Sequence, residues 1–186
     1  MYTDVIEKAI DYILMESYPR DGWHATDCAF DSFGLDAVTF VFTGAGAKQA
    51  AVNWGRIIRD GRSRTAIYII HVSINPGRVF DYRISAHRQL LWANRAKISK
   101  NSIGHASYAA QCDHDEFFTQ LRTGYFEIVN DCASLIRSLG FDSYLTSEPQ
   151  PEGYEIGVPG IAVFDPKRVK LIRSFVLEPI RKKKMG

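Results

Sequence analysis

The sequence predicts a single α+β domain, on three observations. Apolar residues recur at helical spacing in separate stretches, from Val5 to Leu14 and again from Ile128 to Leu139. Between them lie short runs of β-branched and aromatic residues bounded by Gly, Pro and Asp, the pattern of strands. The length, 186 residues, is that of one domain, and the 46% hydrophobic content is enough to fill its core.

The elements follow in order. Thr3 caps a first helix from Asp4 to about Ser17, part of an N-terminal segment 1–20, with Val5, Ile6, Ala9, Ile10, Ile13 and Leu14 on one face. Tyr18-Pro-Arg-Asp-Gly turns the chain into a short strand, Gly22-Trp-His-Ala, followed by a linker with Phe30 and Phe33. Asp36 to Thr43 reads as a second strand with an aromatic face, and Gly44-Ala-Gly breaks it. A helix runs from Lys48 to Asp60 with Ala51, Trp54, Ile57 and Ile58 on one face, and Arg56 and Arg59 at its C-terminal end. Thr65 to Ile74 is the longest apolar run of strand character and is expected at the centre of a sheet, stopped by Asn75-Pro-Gly. Val79 to Tyr82 adds a short edge strand.

Ser85 to Ile98 reads as a helix with Leu90, Leu91 and Ala93 inward. Residues 99–123 are polar, hold His105, Tyr108 and His114, and form a variable insertion with a short helix from Asp113 to Arg122. Tyr125 to Leu139 is the clearest helix, lined by Ile128, Cys132, Leu135 and Leu139 and stopped by Gly140. A strand from Phe141 to Thr146, an acidic loop from Ser147 to Glu155, a buried strand from Gly160 to Asp165 and a last strand from Val169 complete the domain. Residues 178–186 form a basic tail, Arg181-Lys-Lys-Lys.

Composition excludes several classes. A net charge of +2 gives no global bias toward nucleic acid, although Arg56, Arg59, Arg62, Arg64 and the tail are local basic clusters. Cys28, Cys112 and Cys132 are too widely spaced for a zinc site or a disulfide framework, so no metal is expected and a reducing, cytoplasmic setting fits. The N-terminus is acidic and amphipathic, unlike a signal peptide, and no apolar run approaches the ~20 residues of a membrane span.

Three groups of residues are candidates for chemistry. His24 and Thr26 lie two apart on an extended strand, so a ring nitrogen and a hydroxyl share one side and can grip a sugar hydroxyl and an amide. A strand histidine is more often a satisfied core residue than a ligand-binding one. Phe40, Phe42 and Trp54 are aromatics able to stack a planar ring, though such residues are more often core. Glu148, with Glu152 and Glu155 behind it, sits just past a strand end in what is otherwise a solvated acidic loop. A positioned carboxylate there can stabilise an oxocarbenium-like centre or orient a nucleophile.

His24-Ala-Thr, then Phe40-Val-Phe-Thr and a helix, then Gly140-Phe-Asp before Val163-Phe-Asp-Pro-Lys-Arg-Val-Lys, together resemble the ADP-ribosyltransferase fold family over Gly22 to Ile172. The likeness is greatest to small phage and mobile-element mono-ADP-ribosyltransferases, including those acting as toxins or inhibitors of bacterial defence. The resemblance implies a split β-sandwich of two packed, mainly antiparallel sheets flanked by helices. It implies NAD as substrate and ADP-ribose transfer to a protein or nucleic-acid acceptor, with no membrane partner. His24 is similar to the histidine that binds the NAD ribose and carboxamide, and Thr26 to its hydroxyl neighbour. Val41 and Phe42 stand where many relatives have Tyr-Phe, so Phe40, Phe42 or Trp54 takes the stacking role. Gly160 stands where many relatives carry the catalytic Glu. Glu148 matches the acid of the small phage relatives, and Glu155 is the reserve. The alternatives are an NAD glycohydrolase and an inactive binding module of the same fold.

Overall fold

A computed structural model of the chain describes residues 18–27, 39–61, 66–98, 113–117, 132–148 and 158–177. Seven strands form one sheet: β1 (Asp21–Thr26), β2 (Thr39–Phe42), β3 (Tyr68–Ile74), β4 (Val79–Phe80), β5 (Ser143–Glu148), β6 (Val158–Val163) and β7 (Val169–Val176). Their order is β4-β5-β6-β2-β1-β3-β7, and all pairings are antiparallel except β4 with β5. Among the described residues, helices α1 (Ala47–Gly61), α2 (Ser85–Ala93) and α3 (Ala133–Ser138) flank it.

The α+β class therefore holds, with one correction. Where two packed sheets were expected, the described strands are joined in one mixed sheet. That sheet cannot be flat. Ile74 of β3 and Val79 of β4 are five residues apart, a reach of at most about 18 Å. In a flat sheet the five intervening strand spacings would separate β3 from β4 by about 24 Å. The sheet is coiled, so that Val79 of edge strand β4 meets Ile74 of β3 and Val169 of the other edge strand, β7, in one apolar cluster with Val41, Ile70, Val72, Leu145, Ile161 and Val163. Arg168 and Arg78 clasp the coil from both sides. The Arg168 guanidinium donates to Asp142 Oδ1 at 2.9 Å, and the Arg78 amide donates to Asp142 Oδ2 at 2.8 Å. Gly77 has φ +61° and lies against this carboxylate, where a Cβ would come within 2.3 Å of Oδ2.

The opposite, convex face carries the helices. Gly44 and Gly46, both at positive φ, turn the chain from β2 into α1. Alanines then favour the helix and let it lie close to the strands. Ala47, Ala50 and Ala51 are buried against Ala25, Phe42, Ile67 and Ile69. A Cβ on Gly55 would sit 2.9 Å from Ile67 Cγ2. Trp54 and Ile57, expected on the same face as Ala51, are instead 38% and 41% exposed. The small residues win the contact because only they allow this approach.

The second convex cluster joins α2 and α3 through Phe80, Leu91, Phe117, Leu135, Ile136, Phe141, Tyr144 and Phe164. The helix expected to reach Ile98 ends at Ala93, and a 3-10 turn, Arg95–Lys97, follows. Leu91 is inward as expected, but Leu90 and Ala93 are exposed and Arg88 is buried. Arg88 earns that position by donating to the Tyr82 and Arg83 carbonyls at 2.6 and 2.8 Å, closing the turn after β4. Asp81, also buried, accepts from the Arg83 amide and guanidinium within the same turn.

Other expectations meet the structure as follows. β3 is shorter than β7 among the described strands, and it lies inside the sheet, between β1 and β7, with β2 at the middle of the order. β4 is an edge strand, as its short run predicts. Gly140, at φ +84°, follows α3 as the expected stop. Residues 114–117 are a helical turn inside the segment predicted as a short helix. The first helix, the Phe30/Phe33 linker, most of 99–123, the start of the helix from Tyr125 and the basic tail lie outside the described residues.

Candidate functional site

The site begins where β1 meets β2. The two strands share a single bridge, Trp23 with Phe42, whereas β1 pairs with β3 at six positions. Below that bridge the backbone ladder lapses and a side chain replaces it. His24 Nδ1 lies 2.7 Å from the Phe40 carbonyl oxygen. A carbonyl only accepts, so Nδ1 carries the proton and donates. Burial lowers the imidazole pKa below its ordinary 6.5, with the bond to Phe40 opposing part of the shift. The ring is therefore neutral at pH 7, and Nε2, on the side away from Phe40, is a lone-pair acceptor.

This sets a pH dependence with a definite sign. The unfolded chain takes up the His24 proton more readily than the folded one. Stability from this group is complete above 6.5 and is lost as pH falls through the lower folded value. Thermal melts followed downward from neutral pH are expected to lose a component that His24→Gln lacks. Identical pH profiles for the two proteins would contradict this account.

Register decides which candidates share a face. Trp23 faces the same way as Phe42 and Phe40, so His24 faces the other way, into the coil, with Thr26. The rings of Phe40 and Phe42 thus lie on the opposite side of the sheet from the imidazole. Phe42 is only 2% exposed, in edge contact with Phe40 at 4.9 Å and packed on the alanines of α1. It offers no open ring face. Phe40 is half-buried and rests on Gly160, where a Cβ would come within 2.4 Å of its ring. Trp54 is exposed on α1, over the convex face.

An aromatic that the sequence reading passed over does lie on the His24 side. Tyr68, the first residue of β3, is paired with Thr26 and half-buried beside the concave cluster. Its signal was present in the alternation Tyr68, Ile70, Val72, but only the β1–β3 register reveals its neighbour. Glu148 is the last residue of β5, paired with Val158, rather than just beyond the strand end. β5 and β1 are three strand spacings apart, about 14 Å along a flat sheet, and the coil shortens this. Glu152 and Glu155 lie outside the described residues.

On the convex side of β1 a second constellation forms. Trp23 stacks on His71 at 4.5 Å, His71 Nε2 lies 3.0 Å from Asp21 Oδ2, and Lys48 and Arg173 sit over the indole. Among the described residues, no set of three His, Cys, Asp or Glu side chains is grouped to hold a metal, and no helix is long and apolar enough to cross a membrane.

No protein-family model matches this sequence, and no curated protein matches it. A solved structure of the M. tuberculosis MbcT–MbcA toxin–antitoxin complex contains a chain that is similar to this one. The two share 11% identity over 89% of this chain and 90% of that one, with a TM-score of 0.47.

Proposed function

We propose that this protein is an NAD-cleaving enzyme of the ADP-ribosyltransferase type that moves ADP-ribose to a macromolecular acceptor. The observation that carries the reading is the neutral His24 at the seam of β1 and β2. Its Nδ1 is tied to the Phe40 carbonyl, and its Nε2 is suited to accept a hydrogen bond from a ribose hydroxyl. Thr26 adds a hydroxyl on the same side, and Tyr68 adds a ring for the flat face of nicotinamide or adenine. In the reaction the bond between nicotinamide and C1′ of the ribose breaks. The electron pair leaves with nicotinamide, which departs neutral, and the acceptor nucleophile bonds to C1′ and loses its proton. Glu148, with Glu155 in reserve, supports the positive charge that develops on the ribose and orients the nucleophile.

Nicotinamide release from NAD by the purified protein tests the cleavage, and labelled NAD offered to a lysate tests the transfer. A labelled macromolecule is expected. Release without labelling makes water the acceptor and the protein a glycohydrolase, and no release at all refutes the enzyme reading. His24→Ala is expected to weaken NAD binding by ~1–3 kcal/mol, since a ribose hydroxyl loses its partner in a partly dry cleft. Tyr68→Leu, which keeps bulk and removes the π face, is expected to cost ~1 kcal/mol. Calorimetry on folded variants measures both. Unchanged affinity in His24→Ala would make His24 a structural histidine.

A further inference from the structure

At the end of β3 farthest from Tyr68, the chain leaves the sheet through Asn75-Pro-Gly, while the 3-10 turn Pro166–Arg168 leads into β7. The two segments are tied by the Asn75 amide donating to the Arg168 carbonyl at 2.8 Å. Between them lies a cavity of about 440 Å³ lined by Ser73, Ile74, Asn75, Asp165, Lys167, Arg168 and Lys170. Three cations face one carboxylate. That carboxylate, Asp165, is engaged in accepting from the Lys167 amide at 3.0 Å. Arg168 is held from behind by Asp142 at 2.9 Å, which fixes its guanidinium. Neither Lys167 nor Lys170 has a carboxylate partner among the described residues. The Ser73 hydroxyl and the Asn75 side-chain carboxamide likewise make no hydrogen bond among the described residues.

We propose that this cavity binds a phosphate-bearing ligand of nucleotide size. Five donor-bearing side chains border it, more than the two oxygens of a carboxylate can satisfy, whereas a phosphate presents three or four acceptors. Cations held around a concavity repel one another, and an anion seated between them relieves that repulsion. The volume exceeds that of a single phosphate and falls within the range of about 300–1,000 Å³ of small-molecule sites. Ser73 is paired with Asp21 and Lys170, three positions along from the Ile70 that pairs with His24, and it lies on the opposite sheet face from the imidazole. The proposal stands independently of the NAD reading.

The test is calorimetric titration of the full chain at low salt with pyrophosphate and with a short single-stranded oligonucleotide. Binding of pyrophosphate identifies a free phosphate or nucleotide as ligand, and binding of the oligonucleotide alone identifies a phosphodiester backbone. Either supports the proposal if Lys167→Ala/Lys170→Ala weakens it about ten- to hundredfold and lowers the slope of log K on log salt by about one per lysine. Arg168 is left in place, because its pairing with Asp142 helps hold the coil. Lys48→Ala, whose ammonium sits over Trp23 and Phe175 and does not line the cavity, is the control and is expected to bind as wild type. Four results would overturn the proposal. They are binding of neither probe, undiminished binding in the double variant, equal loss in Lys48→Ala, and equally tight binding of polyglutamate. Undiminished binding that disappears on removing residues 181–186 would assign the anion to the tail instead.

Discussion

Gly22→Ala is expected to lower the melting temperature by roughly 6–12 °C, from a cost of about 3 kcal/mol at the upper end of overpacking effects in a chain of this size. A Cβ at Gly22 would lie 2.4 Å from the Phe42 carbonyl oxygen and 2.4 Å from Val41 Cγ1. The oxygen belongs to the backbone of β2, which is held on its other side by four register pairs with β6. It cannot yield as a side-chain tip would. β1 must move away instead, and the single bridge between Trp23 and Phe42 is what it would break. Gly44→Ala provides the comparison. Its site is open, with nothing within 4 Å of a Cβ, and its cost is confined to the strain of φ +74°, about 1–2 kcal/mol. Should Gly22→Ala melt as high as Gly44→Ala, the close approach of β1 to β2 would be wrong. Because His24 lies two residues beyond Gly22, a folded fraction of Gly22→Ala is also expected to lose NAD affinity.

Glu148→Gln is expected to bind NAD as wild type and release nicotinamide ~10²-fold more slowly or worse, the usual scale for losing a positioned acid–base group. The substitution keeps shape and removes charge. The backbone of Glu148 is fixed by pairing with Val158, and Pro149 behind it restricts the residue to extended conformations. Full activity in Glu148→Gln with loss in Glu155→Gln would move the acid seven residues along the chain. Full activity in both would remove a carboxylate mechanism from this segment. The binding measurement is needed beside the rate, because a fall in both would mean only that the cleft had been disturbed.

Much of the secondary structure was legible because it depends on neighbours in sequence. β1, β2, β5, β6 and β7 arise from short β-branched or aromatic runs closed by Gly, Pro or Asp. Gly44 and Gly140 mark turns at positive φ that few other residues adopt. The helix boundaries were less legible. The periodicity that carried a helix to Ile98 could not show that Arg88 would be buried beneath the Tyr82 turn. The same periodicity grouped Trp54 with Ala51 on α1, whereas packing distance at Gly55 selected the small residues.

The sequence by itself determined the α+β class, most of the strands and the position of His24 on one of them. Only the tertiary structure decided what those residues meet. Side-chain facing alternates with every residue, so a candidate set spread over several strands is split or united by register alone. Here the β1–β2 bridge sends His24 to one side of the sheet and the rings of Phe40 and Phe42 to the other, and the β1–β3 register brings Tyr68 beside Thr26. The coil of the sheet, in which Asn75 to Arg78 link β3 to the edge strand β4 five strand spacings away, comes from long-range pairings. Such pairings depend on which distant residues pack and register together, and no local run of residues encodes that.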